Sequence, residues 1–175
     1  MTVDEISCHI REIADFPEPG MVFKDITPLL RNPKAFRQVV EMLSDRVARY
    51  SPEAVVAIES RGFIFGSALA LHAGLPLTVL RKPGKLPGEI ISQAYDLEYG
   101  TDQIEVHKHD VTPGTRYALI DDLIATGGTA AAGVDLIRDL GGIVSCCGFV
   151  IELGYLGGRE RLKNCDVESL IVYQE

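Results

Sequence analysis

The sequence predicts an α/β fold in which an open, mostly parallel sheet is flanked by helices. Three observations carry this. Four segments, Ala54 to Ile58, Leu75 to Leu80, Tyr117 to Ile120 and Ile143 to Leu153, are predominantly apolar runs, as expected of strands covered on both faces. Stretches with helical spacing separate them, so strand and helix alternate along the chain. Three of the strands run into charge, at Glu59-Ser60-Arg61-Gly62, Arg81-Lys82 and Asp121-Asp122. Ligands of open α/β sheets collect at such carboxyl ends.

Each element follows from local pattern. Val3, Ile6, Ile10 and Ile13 recur at helical spacing, predicting an amphipathic helix from about Val3 to Ala14. Phe16-Pro17-Glu18-Pro19-Gly20 breaks it, and Met21 to Pro28 reads as an apolar stretch packed on the core. Asn32-Pro33 is a cap followed by proline in the first turn, opening a helix to about Tyr50 whose buried stripe is Phe36, Val39, Val40, Leu43 and Val47. Phe63 to Ala73 is a helix whose small residues, Gly66, Ser67, Ala68 and Ala70, let it lie close to the sheet. From Pro83 the pattern changes. A turn-rich stretch leads into two polar, partly alternating strands, Glu89 to Tyr99 and Gln103 to His107, around Gly100-Thr101-Asp102. This exposed hairpin, within residues 83–110, is a candidate mobile flap. A helix from Ala130 to Leu140, a loop with a short helix from Gly154 to Lys163 and a last strand from Ser169 to Tyr173 complete one domain spanning residues 1–175.

Composition sets bounds on function. With 46% hydrophobic and 24% charged residues, a chain of 175 residues has a core of ordinary size. A net charge of −8 argues against a nucleic-acid surface but leaves room for a locally basic pocket. No apolar run is long enough to span a bilayer and no signal peptide opens the chain, so a cytoplasmic protein without a membrane partner is expected. Cys8, Cys146, Cys147 and Cys165 lack metal-ligand spacing and read as free thiols, those of Cys146 and Cys147 buried on opposite faces of a strand. His107 and His109 have no evident third ligand and read as solvated flap residues.

The chemistry concentrates in Ala118 to Thr129. A buried strand turns acidic at Asp121-Asp122 and then runs through Ala125-Thr126-Gly127-Gly128-Thr129, where little side-chain bulk screens the backbone N–H groups. The following helix points its positive end at the same place, and Thr129 sits where an N-cap would. That order describes a phosphate cradle, and no lysine follows the glycines as a Walker loop requires. The two carboxylates would repel phosphate, so they call for a ribose diol, or a Mg²⁺ ion near one. A sugar 5-phosphate satisfies both halves. Arg61, Arg81, Lys82 and Lys85 supply cations for further phosphate groups.

The run Asp121-Asp122-Leu123-Ile124-Ala125-Thr126-Gly127-Gly128-Thr129 resembles the phosphoribosyl-pyrophosphate signature of type I phosphoribosyltransferases. Its acidic pair matches the ribose contacts and its remainder the 5-phosphate loop. Glu59-Ser60-Arg61-Gly62-Phe63 resembles the pyrophosphate loop of the adenine-using subfamily, which implies a cis peptide there. Arg81 to Pro87 resembles the start of the flexible loop, in which an arginine reaches the neighbouring subunit's pyrophosphate. Leu97-Glu98-Tyr99-Gly100 resembles the segment that closes over the base. Phe16 to Asp25 resembles the adenine-binding segment, with Phe23 stacking, the backbone near Val22 and Lys24 reading the base edge, and Leu153 packing opposite. Relatives often carry arginine where Lys24 stands, so a planar side-chain contact is not expected at that position.

The resemblance implies a homodimer with a base-binding hood over residues 1–32. Its reaction takes adenine and phosphoribosyl pyrophosphate to AMP and pyrophosphate. Mg²⁺ would be carried mainly by substrate and water rather than by a protein cage. Arg61, Asp121 and Asp122 would be catalytic, and Glu98 would move the purine proton or orient the group that does. The rival readings are a ligand-sensing regulator with the same fold, and an enzyme for a 6-oxopurine or orotate.

Overall fold

The computed structural model describes residues 1–96 and 101–174. The chain opens with a short helix, α1 (Val3–Ser7), held by a capping box. Thr2 Oγ1 accepts from the Glu5 N–H at 3.2 Å, and the Glu5 carboxylate accepts from the Thr2 N–H at 2.8 Å. The helix expected to reach Ala14 stops here. Arg11–Ala14 is instead a strand, β1, paired antiparallel with β2 (Val22–Asp25). Ile6 and Ile10 are buried as helical spacing demands, but Ile13 is 38% exposed and sits opposite Phe23 in the ladder. A pairing partner beyond the proline turn has overridden the local period. Residues 21–28, read from the sequence as packed linker, supply β2 and the start of a four-residue helix, α2 (Thr27–Leu30).

Helix α3 (Pro33–Ala48) begins as expected: Asn32 Oδ1 accepts from the N–H groups of Lys34 and Ala35, at 3.1 and 3.2 Å. Strand β3 (Ala54–Ile58), helix α4 (Gly62–Ala73), strand β4 (Leu77–Leu80), and the hairpin strands β5 (Ile90–Asp96) and β6 (Thr101–His107) follow. Then come β7 (Arg116–Ile124), α5 (Gly128–Asp139), β8 (Ile143–Leu153), two 3₁₀ turns (Gly154–Leu156 and Gly158–Arg161) and β9 (Asp166–Tyr173). Five strands form one sheet in the order β4-β3-β7-β8-β9, and all its pairings are parallel.

Alternate residues of each strand feed two apolar layers. Val55, Ala118, Ile120 and Cys146 pack with α1 to α4 on one face, while Val56, Leu119, Cys147 and Phe149 pack with α5 on the other. The adjacent cysteines do point to opposite layers. Phe65 and Phe149, fully buried one in each layer, contribute about 1.5–3 kcal/mol apiece by area.

The hairpin differs from the exposed flap expected. Tyr95, Ile104 and Val106 are 8% exposed or less and join the layer around α5, because the alternation of β5 and β6 gives the stem an apolar face. At the stem base, His107 Nε2 lies 2.7 Å from the Pro87 carbonyl oxygen and His109 lies 3.5 Å from Glu89. Among the described residues no group of three potential metal ligands gathers.

Gly66 lets α4 press onto the sheet, since a Cβ there would overlap the Ala57 methyl. Gly66→Val is expected to cost about 1–3 kcal/mol by overpacking and to lower Tm by about 2–4 °C per kcal/mol. Thermal unfolding followed by circular dichroism measures this, and an unchanged Tm would show that the helix relaxes away from the sheet.

Candidate active site

Chain direction places the site. From β3 the chain crosses to β4 on one side, and β7 later returns on the other side of β3. The loops leaving β3 and β7 therefore splay apart at a switch point, the place where open sheets hold ligands. A cleft of about 300 Å³ lies there, bounded by Glu59-Ser60-Arg61, Asp121 to Ala130 and Lys82. The structure thus brings together two segments that the sequence analysis singled out separately.

Glycines set the spacing. A Cβ on Gly62 would lie 2.6 Å from Asp121 Oδ1 and 3.1 Å from the Asp121 Cα, so only glycine lets the loop after β3 rest on the acidic pair. The Glu59–Ser60 peptide in that loop is cis, where the resemblance puts it. Across the cleft Gly127 takes φ +80° and is itself the N-cap of α5, which begins at Gly128. Thr129, expected as the cap, is the second residue of the helix instead. The N–H groups of Gly128, Thr129 and Ala130 have no acceptor within the helix, and all three residues line the cleft. Gly127 in turn lies against the backbone of Gly158, and a Cβ on Gly158 would overlap the Ala125 carbonyl. Gly158 escaped the sequence analysis. The Gly157-Gly158 doublet was its only signal, and nothing local ties that doublet to a loop thirty residues earlier.

The charges are arranged by pairing. Asp122 is 5% exposed, and its Oδ2 lies 2.9 Å from Arg61 Nε at an angle that leaves this buried oxygen without a hydrogen bond. Burial pushes the Asp122 carboxyl above the ordinary carboxylate range, with Arg61 pulling the other way. Burial, then the neighbouring Asp122 charge, push the Asp121 carboxyl well above it. Glu59 accepts from Arg81 Nε at 2.9 Å and from the Lys82 N–H at 2.7 Å, and Arg81 holds its carboxyl below the usual range. The Glu59 carboxylate is thus engaged within the protein and fixes the end of β4. Lys82 Nζ donates to Tyr95 Oη at 2.8 Å and pairs with Asp102, both on the hairpin. Lys85 is exposed outside the cleft.

The N-terminal strands reach over the same sheet end. Arg61 Nη1 lies 3.5 Å from the Lys24 carbonyl oxygen, and the Arg61 guanidinium carbon lies 4.9 Å from the Phe23 ring centroid. Phe16 meets the Phe23 ring edge-on at 5.2 Å. The Lys24 side chain turns elsewhere, pairing with Glu12 and standing 3.7 Å from the centre of the Tyr173 ring. Val22 is exposed beside Phe23 on β2. Leu153, 8% exposed, closes β8 next to the end of β7. Val22, Phe23, Lys24, Leu153, Arg81 and Lys85 do not line the cleft itself. Glu98 and Tyr99 lie outside the described residues.

The phosphoribosyl transferase domain family matches residues 25–171. Adenine phosphoribosyltransferase of Streptomyces coelicolor is 53% identical over 155 residues, covering 89% of this chain and 85% of its own length. The crystal structure of adenine phosphoribosyltransferase from Thermoanaerobacter pseudethanolicus is 48% identical, with a TM-score of 0.96 over 98% of this chain and 100% of that one. The Saccharomyces cerevisiae enzyme, solved with adenine and D-2,5-dideoxy-2,5-imino-altritol 1,6-bisphosphate, is 36% identical with a TM-score of 0.92, over 96% and 97% of the two chains. With its cleft at the β3–β7 switch point and these likenesses over nearly its whole length, the chain belongs to the phosphoribosyltransferase family, among the adenine phosphoribosyltransferases.

Proposed function

We propose that the chain transfers the 5-phosphoribosyl group of phosphoribosyl pyrophosphate to adenine, giving AMP and pyrophosphate in purine salvage. The observation that carries this is the single cleft that joins an acidic pair, a glycine loop at a helix N-terminus and a basic loop after β3. Each part suits one portion of that substrate. The Ala125 to Thr129 backbone would hold the 5-phosphate, Asp121 and Asp122 the ribose hydroxyls, and Arg61 and Lys82 the pyrophosphate. Glu59 would act by holding Arg81 and Lys82 in place, with Ser60 offering its backbone and hydroxyl.

Displacement at the anomeric carbon passes through an oxocarbenium-like state in which the leaving group gains negative charge. Arg61 and Lys82 at the cleft wall would stabilise that charge. The Asp122 carboxylate would favour the developing positive charge, and Asp121 would help keep the sugar oriented. The hairpin would exclude water, with Tyr99 covering the base and Glu98 handling the purine proton. Phe23 would stack on adenine against Leu153, with the backbone of Val22 and Lys24 reading its edge.

Mg²⁺ suits the residues present. Two hard carboxylates flank the cleft, one with a buried oxygen that lacks a hydrogen bond, and no third protein ligand gathers with them among the described residues. An ion bound beside them would be held mostly by substrate oxygens and water. When bound, the ion would supply Lewis-acid stabilisation of the departing pyrophosphate. We further infer a cytoplasmic homodimer. Leu71, 86% exposed on α4, and Leu77, 39% exposed on the edge strand β4, offer an apolar surface for a second copy, and Arg81 and Lys85 follow the carboxyl end of the same strand.

Pyrophosphate release measured with Mg²⁺ and phosphoribosyl pyrophosphate, offering adenine, hypoxanthine, guanine and orotate separately, is expected with adenine alone. Release with a 6-oxopurine would discard the base assignment, and none with any base would favour a ligand sensor.

Asp122→Asn is expected to lower kcat/KM about 10- to 100-fold, the weight of a hydrogen bond to a charged group. Steady-state kinetics with unchanged constants would remove the ribose role.

The raised Asp121 carboxyl carries a stability cost. Between the ordinary carboxylate pKa of about 4 and its own raised value, the unfolded chain ionises while the folded one holds the proton, so stability falls as pH rises through that window. Asp121→Asn removes this. Its ligand-free Tm is expected to exceed that of the wild type by a margin that widens from about pH 4 upward, while turnover is lost. A margin independent of pH would show that the Asp121 carboxyl is unshifted.

A further inference from the structure

Among the described residues Arg61 makes three contacts, and each partner is a group assigned above to substrate. Its Nε faces Asp122 at 2.9 Å, the carboxylate assigned to ribose. Its guanidinium lies 4.9 Å from the ring centroid of Phe23, the side chain assigned to stacking on adenine. Its Nη1 lies 3.5 Å from the Lys24 carbonyl oxygen, on the backbone assigned to the base edge. A planar cation with several N–H donors resembles a purine edge in these respects, since it stacks on an aromatic face and donates to a carbonyl. The side chain is 32% exposed, so solvent is available to it when these contacts break.

We propose that Arg61 acts as a placeholder gate: its guanidinium occupies the space between Phe23, Lys24 and Asp122 until the pyrophosphate group draws it away to open the base subsite. The inference rests on the base and ribose assignments of the proposed function. Phosphate oxygens are stronger partners for guanidinium than a ring face and a carbonyl at 3.5 Å, and they bind it in a fork. The loop that carries Arg61 also borders the cleft through Glu59 and Ser60, so a pyrophosphate bound there lies within reach of the same side chain. Moving Arg61 would uncover the Phe23 face and the Lys24 carbonyl and would release Asp122 to the ribose. One residue thereby makes adenine affinity depend on occupancy of the pyrophosphate end, with no contact between the two ligands. The coupling is a population shift: a subsite open one-tenth of the time binds about tenfold more weakly than one held open.

Equilibrium dialysis of labelled adenine against the full-length protein tests this, with Mg²⁺ and inorganic pyrophosphate added or omitted so that no reaction occurs. For the wild type, pyrophosphate is expected to tighten adenine binding about tenfold. Arg61→Ala is expected to bind adenine without pyrophosphate about as tightly as the pyrophosphate-loaded wild type, and to gain nothing when pyrophosphate is added. Asp122→Asn, which keeps Arg61 but removes its ion pair, is expected to fall between the two and serves as the second variant should Arg61→Ala fold poorly. Wild-type affinity that ignores pyrophosphate, with both variants binding no tighter, would overturn the gate and leave the base assignment standing. Adenine that binds none of the three proteins under either condition would overturn the base assignment and the gate with it.

Discussion

The site depends on a contact that a single methyl group would prevent. Gly62 rests on Asp121, so the loop after β3 and the acidic end of β7 close to within van der Waals distance. Parallel pairing puts the two strand ends side by side, and the switch point parts the chains beyond them. That close approach stands beside the pairing of Arg61 with Asp122, 2.9 Å apart at the cleft wall. The same economy of bulk recurs at Gly66 on Ala57 and at Gly133, where a Cβ would stand 2.8 Å from Leu119. Backbone proximity at the strand ends thus continues a packing mode used throughout the sheet.

Pairing among the charges determines which groups remain available. Glu59 is held by Arg81 and by the Lys82 N–H, and Lys82 is held by Tyr95 and Asp102. An ammonium offers three donors, so two contacts leave one to face the cleft that Lys82 lines. The network ties the end of β4 to the hairpin stem, and the stem to α5 through Tyr95 and Ile104. Cleft and hairpin are mechanically one assembly at that point.

Much of this is legible in the sequence. Ala54–Ile58 and Ile143–Leu153 lie in the structure where their apolar runs put them, because a strand buried on both faces tolerates little else. Asn32-Pro33 opens α3 because the cap is satisfied locally. What failed depended on distant partners. Ile13 fits a helical period and a strand period equally, and only pairing with Phe23 decides between them. Thr129 has the chemistry of an N-cap, but the left-handed backbone falls to Gly127, one turn position that no threonine takes readily. The site's residue types were readable from Asp121 to Thr129 as an ordered string. The meeting of Arg61 with Phe23 and Asp122 was not, since it is fixed by the topology of a sheet and by the path of β2 across its end.

The seat of Gly127 on Gly158 bears on how this site can be altered or transplanted. The anion loop is not a self-contained module, because its curvature is templated from below by a turn that the chain supplies only after β8. Insertions or deletions between Gly154 and Arg161, although remote in sequence and outside the cleft, would act as edits to the loop above. A graft of residues 125–129 onto another sheet would need that underlying turn as part of the transplanted unit.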